Sequence, residues 1–162
     1  MIKIKPLNED RWQDYRDLRL ESLKKEPLAY GSSYEETKDA LEEHWRDRIK
    51  NVLFALDQDK PVGMIVYVRE TMIKSKHIAN IYGVYVAEEY RGRGVGKKLM
   101  DAALARIKED HVIIKVKLTV NPVHKAAVKL YRNFGFKVTG KLKKELYFDG
   151  RFYDELVMEK LL

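Results

Sequence analysis

The sequence predicts an α/β (α+β) fold, a single mixed sheet with helices on both faces in the order β-α-α-β-β-β-α-β-α-β-β. Three observations point there. Short β-branched or alternating runs bounded by turn residues recur along the chain, separated by segments of helical spacing. A glycine-rich hexamer, Arg91-Gly92-Arg93-Gly94-Val95-Gly96, joins a strand-like run to a helix-like run. The dipeptide Asp149-Gly150 stands between two long strand-like runs, and Asp-Gly is the strongest short hairpin signal.

Ile2 to Lys5 reads as the first strand, and Asn8 caps a helix to about Lys24 whose apolar side is Trp12, Tyr15, Leu18, Leu20 and Leu23. Pro27 breaks it, and Leu28 to Ser32 form a loop. Ser33-Tyr34-Glu35-Glu36 is a capping box, predicting a second helix to about Lys50 with Leu41, Trp45 and Ile49 as its inner stripe. Val52 to Leu56 and Pro61 to Arg69 read as strands joined by the polar turn Asp57-Gln58-Asp59-Lys60. After the charged loop Lys74-Ser75-Lys76, a strand from Ile78 to Val86 enters the glycine loop, and a helix follows from about Gly94 to Glu109. Val112 to Val120 is β-branched and alternating, a strand. Pro122 opens a helix over Ala126 to Phe134 that Gly135 ends, before the strands Lys137 to Phe148 and Arg151 to Leu161. No repeat, low-complexity tract or linker interrupts residues 1–162, which read as one domain.

Composition narrows the function classes. Apolar residues are 45% and charged residues 35% of the chain, a globular balance. No run approaches the roughly 18 apolar residues of a membrane span, and the opening Met-Ile-Lys-Ile-Lys-Pro-Leu has no signal-like apolar stretch, so a cytoplasmic location is expected. With no cysteine, disulfides, thiolate metal sites and a cysteine nucleophile are excluded. His44, His77, His111 and His124 lack metal-ligand spacing, and no metal is expected. The net charge of +7 suits an anionic ligand. Nucleic acid is the weaker reading of that charge, because no binding motif or interleaved aromatic array accompanies it.

In the hexamer, glycines at alternate positions bare the backbone N–H groups at a helix N-terminus. Those amides and the helix dipole form an anion cradle, and Arg91 and Arg93 add charge. A phosphate-bearing ligand is the expected tenant. The spacing excludes a Walker A loop, because Gly96 is followed by Lys97-Lys98 and no glycine stands at 91. It also excludes the dinucleotide fingerprint, since the pattern is G-x-G-x-G rather than G-x-G-x-x-G.

The hexamer resembles the R/Q-x-x-G-x-G/A signature of the GNAT superfamily of N-acetyltransferases, with Arg91, Gly94 and Gly96 at the fixed positions. Thirty residues on, Asn121-Pro122-Val123-His124-Lys125-Ala126-Ala127-Val128-Lys129-Leu130-Tyr131-Arg132-Asn133-Phe134-Gly135-Phe136 resembles the same family's N-x-x-N-x-x-A-x-x-x-Y-x-x-x-G-F, with Asn121, Ala127, Tyr131, Gly135 and Phe136 in register. His124 stands where the family usually has Asn. Segments around Tyr30 to Glu36 and Asp149 to Glu155 resemble an uncharacterised bacterial and archaeal subgroup.

The resemblance implies a mostly antiparallel sheet of about seven strands and acetyl-CoA as co-substrate. It implies that the strands ending at Val86 and beginning at Val112 splay apart at a bulge near Gly83, with the backbones of Val84 and Val86 pairing with the pantetheine arm. Arg91, Gly92, Arg93, Gly94, Val95 and Gly96 would hold the pyrophosphate, and Asn121, His124 and Ala127 would line the arm. Lys97, Lys125, Lys129 and Arg132 either approach the remaining phosphate or face solvent. Tyr131 is the implied general acid toward the departing sulfur, the alternative being a core tyrosine. Many relatives carry a glutamate base near the position of Asn80, which cannot accept a proton. Glu35, Glu36, Glu145, Asp154 and Glu155, or a water chain, are the alternatives. Tyr30, Tyr34 and Tyr153 and the loops 28–36, 70–77 and 145–155 are expected on the acceptor side. The expected activity is acetyl transfer to a primary amine, namely a small metabolite, a protein N-terminus or a lysine. The alternative is an acyl-CoA-binding sensor with little catalysis. A homodimer paired through the final hairpin is also open.

Overall fold

The computed structural model describes residues Met1–Leu162. Seven strands form one sheet: β1 (Lys3–Lys5), β2 (Val52–Asp57), β3 (Lys60–Arg69), β4 (Ile78–Val86), β5 (Lys115–Val120), β6 (Lys137–Phe148) and β7 (Arg151–Leu161). Their spatial order is β1-β2-β3-β4-β5-β7-β6. Every neighbouring pair is antiparallel except β4 and β5. The helices are α1 (Trp12–Lys25), α2 (Tyr34–Thr37), α3 (Glu42–Arg48), α4 (Val95–Glu109) and α5 (Lys125–Asn133).

β2 is buried on both faces, so successive residues feed two cores. Leu53 and Ala55 join the larger, with Val95, Leu99, Ala103 and Ile107 of α4 and Tyr131 of α5. Phe54 and Leu56 join the smaller, with Tyr15 and Leu18 of α1 and Trp45 of α3. Helices therefore cover both faces of the sheet, as the element order implies. α4 buries residues 95, 99, 100, 103, 104 and 107, one face of a 3.6-residue period.

Both tight hairpins use left-handed backbone at two successive residues, the requirement of a type I′ turn: Gln58 (φ 47°) and Asp59 (φ 70°), then Asp149 (φ 48°) and Gly150 (φ 74°). In the first, neither residue is glycine. Arg11 holds the turn by donating to the Asp59 carboxylate at 3.0 Å and to its carbonyl oxygen at 2.9 Å.

Three element boundaries depart from expectation. The segment expected as one helix from Ser33 to Lys50 is two. Its capping box is present, but α2 ends at Thr37 and α3 begins at Glu42. The indole of Trp45 is fully buried and donates to the Ala40 carbonyl at 3.2 Å, a bond that a continuous helix would deny it. Leu41, expected inside, takes extended backbone at the α3 N-cap and is 78% exposed. β5 starts at Lys115 rather than Val112, because Ile113 N–H turns back to the Asp110 carbonyl and Ile114 N–H donates to that of His77. Asn8 caps a short 3-10 turn, Glu9–Arg11, that leads into α1, with its side chain accepting from Asp10 N–H.

No helix is long and apolar enough to cross a membrane.

Candidate active site

The parallel seam between β4 and β5 runs only from Ile78↔Lys115 to Asn80↔Lys117. Beyond it β5 stays paired with β7 through Val120↔Leu156, while β4 stays with β3. The two strands separate, and the gap is a cleft of about 670 Å³.

Gly83 sets that divergence. Between Met64↔Tyr85 and Val66↔Tyr82, β4 spends two residues, Gly83 and Val84, where β3 spends one. Gly83 has φ +56°, and a Cβ there would press Val66 Cγ2 at 3.1 Å. The bulge inverts the inside-out alternation. Before it, Ala79 and Ile81 face the larger core; after it, Val84 and Val86 do, and Tyr85 turns to the other.

The glycine loop closes one end of the cleft. Gly92 (φ +72°) and Gly94 (φ +76°) take left-handed backbone, and a Cβ on either would meet open space. Gly94 is the N-cap of α4 and no side chain caps that helix, so its first-turn N–H groups are left to an external acceptor. Arg91 ties the loop to the strand: its Nε donates to the Val86 carbonyl at 2.9 Å and its guanidinium pairs with Glu26 at 2.9 Å. Arg93 stacks on the Tyr90 ring at 5.5 Å and does not line the cleft. Of the two arginines expected to face the anion, one is committed to a carboxylate and the other lies outside.

The second motif positions Tyr131. Asn121 is 2% exposed and forms an Asx turn, accepting from Val123 N–H at 3.1 Å. It shapes the entry to α5 and does not itself line the cleft, and its buried Nδ2 has no hydrogen-bond partner. His124, the α5 N-cap residue, does line the cleft, and its buried Nε2 has no hydrogen-bond partner. At the far end of α5, Gly135 N–H donates to the Arg132 carbonyl and Phe136 N–H to that of Tyr131, the paired bonds of a Schellman cap. Gly135 takes the left-handed position at φ +87°, and the Phe136 ring meets the Tyr131 ring edge-on at 6.2 Å. The Gly-Phe pair that closes the motif thus clamps both backbone and ring of the tyrosine.

Tyr131 is 6% exposed, and its hydroxyl makes no hydrogen bond within the chain. Burial, reinforced by nearby Tyr30, pushes its phenol far above the ordinary value. Tyr30 itself, pushed up to about 12 by burial, donates its hydroxyl to the Val84 carbonyl at 3.0 Å. The carbonyls of Val84 and Val86 therefore each have one internal donor and keep a second lone pair. Ten of the twelve residues expected at the site line one cleft; Arg93 and Asn121 do not.

A second pocket, of about 460 Å³, adjoins the first across the bulge, sharing Ala29, Tyr30, Ile81, Tyr82, Gly83 and Thr119. Its own wall includes Arg19, Arg48, Asn51 and Glu155. Glu155 is 9% exposed, and its carboxyl is raised above the usual range, chiefly by burial and in the opposite sense by a hydrogen bond with Thr119. Three of the other expected carboxylates are engaged elsewhere, while Glu145 lines neither pocket but lies near enough to raise Glu155 further. Glu36 closes the capping box, Glu35 pairs with Lys38, and Asp154 accepts from Lys144 N–H and pairs with Lys141. Asn80 is buried and donates to Glu70 at 2.5 Å. Tyr34 sits under Lys24, and neither Tyr34, Tyr153 nor the loop 70–77 lines either pocket. Arg19 and Arg48 escape the sequence patterns; the available signal is that Arg19 lies four residues after Tyr15 and three before Ser22, on a buried helix face. No three His, Cys, Asp or Glu side chains gather as metal ligands would.

A family model described as Acetyltransferase (GNAT) family matches residues 7–136. The chain is 32% identical over 75 residues to L-2,4-diaminobutyric acid acetyltransferase of Streptomyces anulatus, covering 46% of this chain and 43% of that protein. It is 25% identical over 123 residues to L-amino acid N-acetyltransferase of Escherichia coli strain K12, covering 72% and 75%. Like the Streptomyces anulatus protein, the diaminobutyrate acetyltransferases of Streptomyces avermitilis and Streptomyces coelicolor are matched over only about half their length. In structure it is similar to the acetyltransferase of GNAT family from Streptococcus pneumoniae, with a TM-score of 0.89, 20% identity and full coverage of both chains.

Proposed function

The chain belongs to the GNAT family of acetyltransferases, and from that premise we propose that it transfers an acetyl group from acetyl-CoA to a primary amine. The observation that carries the reading is the early end of the β4–β5 seam at Asn80↔Lys117, which opens a cleft between an uncapped helix N-terminus and a buried phenol. The relatives above are named for transfer to diaminobutyric acid and to L-amino acids, both amine acceptors.

The residues present fit such a ligand. The N–H groups at the α4 N-terminus suit a pyrophosphate, the free lone pairs of the Val84 and Val86 carbonyls suit the amides of an extended arm, and His124, whose buried Nε2 has no partner, lines the same cleft. When bound, acetyl-CoA supplies an acyl carbon open to attack and a thiolate leaving group. Two proton tasks then fall to the protein. The acceptor must lose its ammonium proton so that a neutral nitrogen forms the new C–N bond, and Glu155 stands in the adjoining pocket to take it. The sulfur must gain a proton as the C–S bond breaks; Tyr131, on the same cleft, is the candidate donor, and the second proton that the nitrogen sheds as the amide forms restores the phenol.

Calorimetry with acetyl-CoA and release of free CoA thiol across an amine panel test this reading. Binding with steady, amine-dependent release supports it. Binding without release from any amine favours the sensor alternative, and no binding removes both. Gly94→Val refines the test. A β-branched residue at φ +76° is strained by about 1–2 kcal/mol, and its side chain enters the space offered to the anion. Acetyl-CoA affinity is expected to fall at least about tenfold, and an unchanged Kd would separate the loop from the ligand.

A further inference from the structure

The pocket beyond the bulge holds two guanidinium groups that no carboxylate of the chain pairs with. Arg19 lays its guanidinium 4.4 Å over the Tyr30 ring, and its Nη1 is buried without a hydrogen-bond partner. Arg48 lines the same pocket from the end of α3, and neither forms an ion pair, whereas Arg11, Arg16, Arg46, Arg69 and Arg91 each hold a carboxylate. Burial and the repulsion of Arg48 both disfavour the charged form of Arg19. A desolvated guanidinium without an anion costs stability, so the arrangement is that of a site awaiting one.

Position narrows the anion's identity. The Arg19 Nη1 lies 3.6 Å from where a Cβ on Gly83 would sit, which puts the charge at the bulge where the two cavities meet. An anion held there and a nitrogen reaching the thioester cleft can be only a few bonds apart. Glu155 is the single carboxylate of the pocket, a match for one ammonium. Two arginines and one glutamate on one pocket wall leave an excess of positive charge that would repel a second cation, which disfavours diamines and polyamines.

We propose that the acceptor carries its own carboxylate, as an α-amino acid does, with Arg19 and Arg48 holding the carboxylate and the amine presented at the bulge toward Glu155. The guanidinium fork offers paired N–H donors that match two carboxylate oxygens. The proposal rests on the acetyl-transfer reading for its reaction but not for its binding step, and the two are tested apart.

The first measurement is calorimetry on the protein alone with α-amino acids, the matching amino-acid amides and the decarboxylated amines. The acids are expected to bind at least about tenfold more tightly, the worth of a charge-assisted bond. The second is kcat/KM for the same panel in the presence of acetyl-CoA, where the same ratio is expected and is carried by KM. Arg19→Gln should collapse the ratio toward one. Arg48→Gln, at the exposed rim, should lower it without disturbing the fold, and Arg19→Lys should restore part of it. Equal binding or equal turnover of acids and amides, or binding of none of them, overturns the proposal. Preferential turnover of amines with a phosphonate in place of the carboxylate overturns it as well. Turnover of uncharged amines with no acid preference leaves acetyl transfer standing and removes only the carboxylate site. Tight acid binding without any turnover does the reverse.

Discussion

Tyr131→Phe is expected to lower kcat by about 10²- to 10⁴-fold, the usual worth of a positioned general acid, while acetyl-CoA binds nearly as before. The argument lies in what the substitution leaves alone. The ring that meets Phe136 at 6.2 Å is retained, and so are the two backbone bonds that cap α5. The hydroxyl has no partner within the chain, so its loss breaks no internal hydrogen bond, and the variant should melt at or above the wild-type temperature. The loss therefore falls on the one step that needs a proton at the sulfur. Because burial raises the phenol well above its usual value, ionisation of Tyr131 should not bend the pH–rate profile below about pH 10. Single-turnover acetyl transfer, with calorimetry for acetyl-CoA, checks the pair of outcomes. Unchanged turnover would return Tyr131 to the core, where its neighbours Leu130 and Phe134 also pack.

Much of the cleft was legible because contiguous motifs encode it. The hexamer from Arg91 to Gly96 specifies left-handed backbone at a helix start, and Gly135-Phe136 specifies the cap that fixes Tyr131. A lone glycine in a strand marked the bulge at Gly83. What failed were boundaries decided by tertiary bonds. The helix expected from Ser33 to Lys50 breaks because the buried Trp45 N–H claims the Ala40 carbonyl, and β-branched Val112 to Ile114 turn rather than extend because Asp110 and His77 take their N–H groups. Charge near a motif also misled. Arg93 has the residue type expected at an anion cradle, yet the Tyr90 ring holds it outside. The second pocket was illegible for another reason. Arg19, Arg48, Gly83 and Glu155 lie far apart in sequence on α1, α3, β4 and β7, and only the sheet order brings them together.

Glu155→Gln should move activity and stability in opposite directions. As the carboxylate that receives the amine's proton, Glu155 must be ionised to work, so wild-type kcat/KM should fall on the acid side with a midpoint above the ordinary glutamate value of 4.5, in the direction that burial shifts it. Gln cannot accept the proton, and the rate at neutral pH should drop about 10²-fold or more with that acid limb abolished. Stability follows from linkage. The folded-state value lies above the unfolded one, so between them the folded protein keeps a proton that the unfolded chain has released. Wild-type stability therefore declines as pH rises through that window, and the cost of the buried charge is fully present above it. The amide carries no such cost. The variant should melt higher than wild type at pH 7 and lose that advantage below pH 4.5. Paired melting curves and pH–rate profiles read both effects. A variant that keeps its acid limb and its rate would assign the proton to water leaving through the open pocket, and the stability difference alone would then remain as the mark of a buried carboxylate.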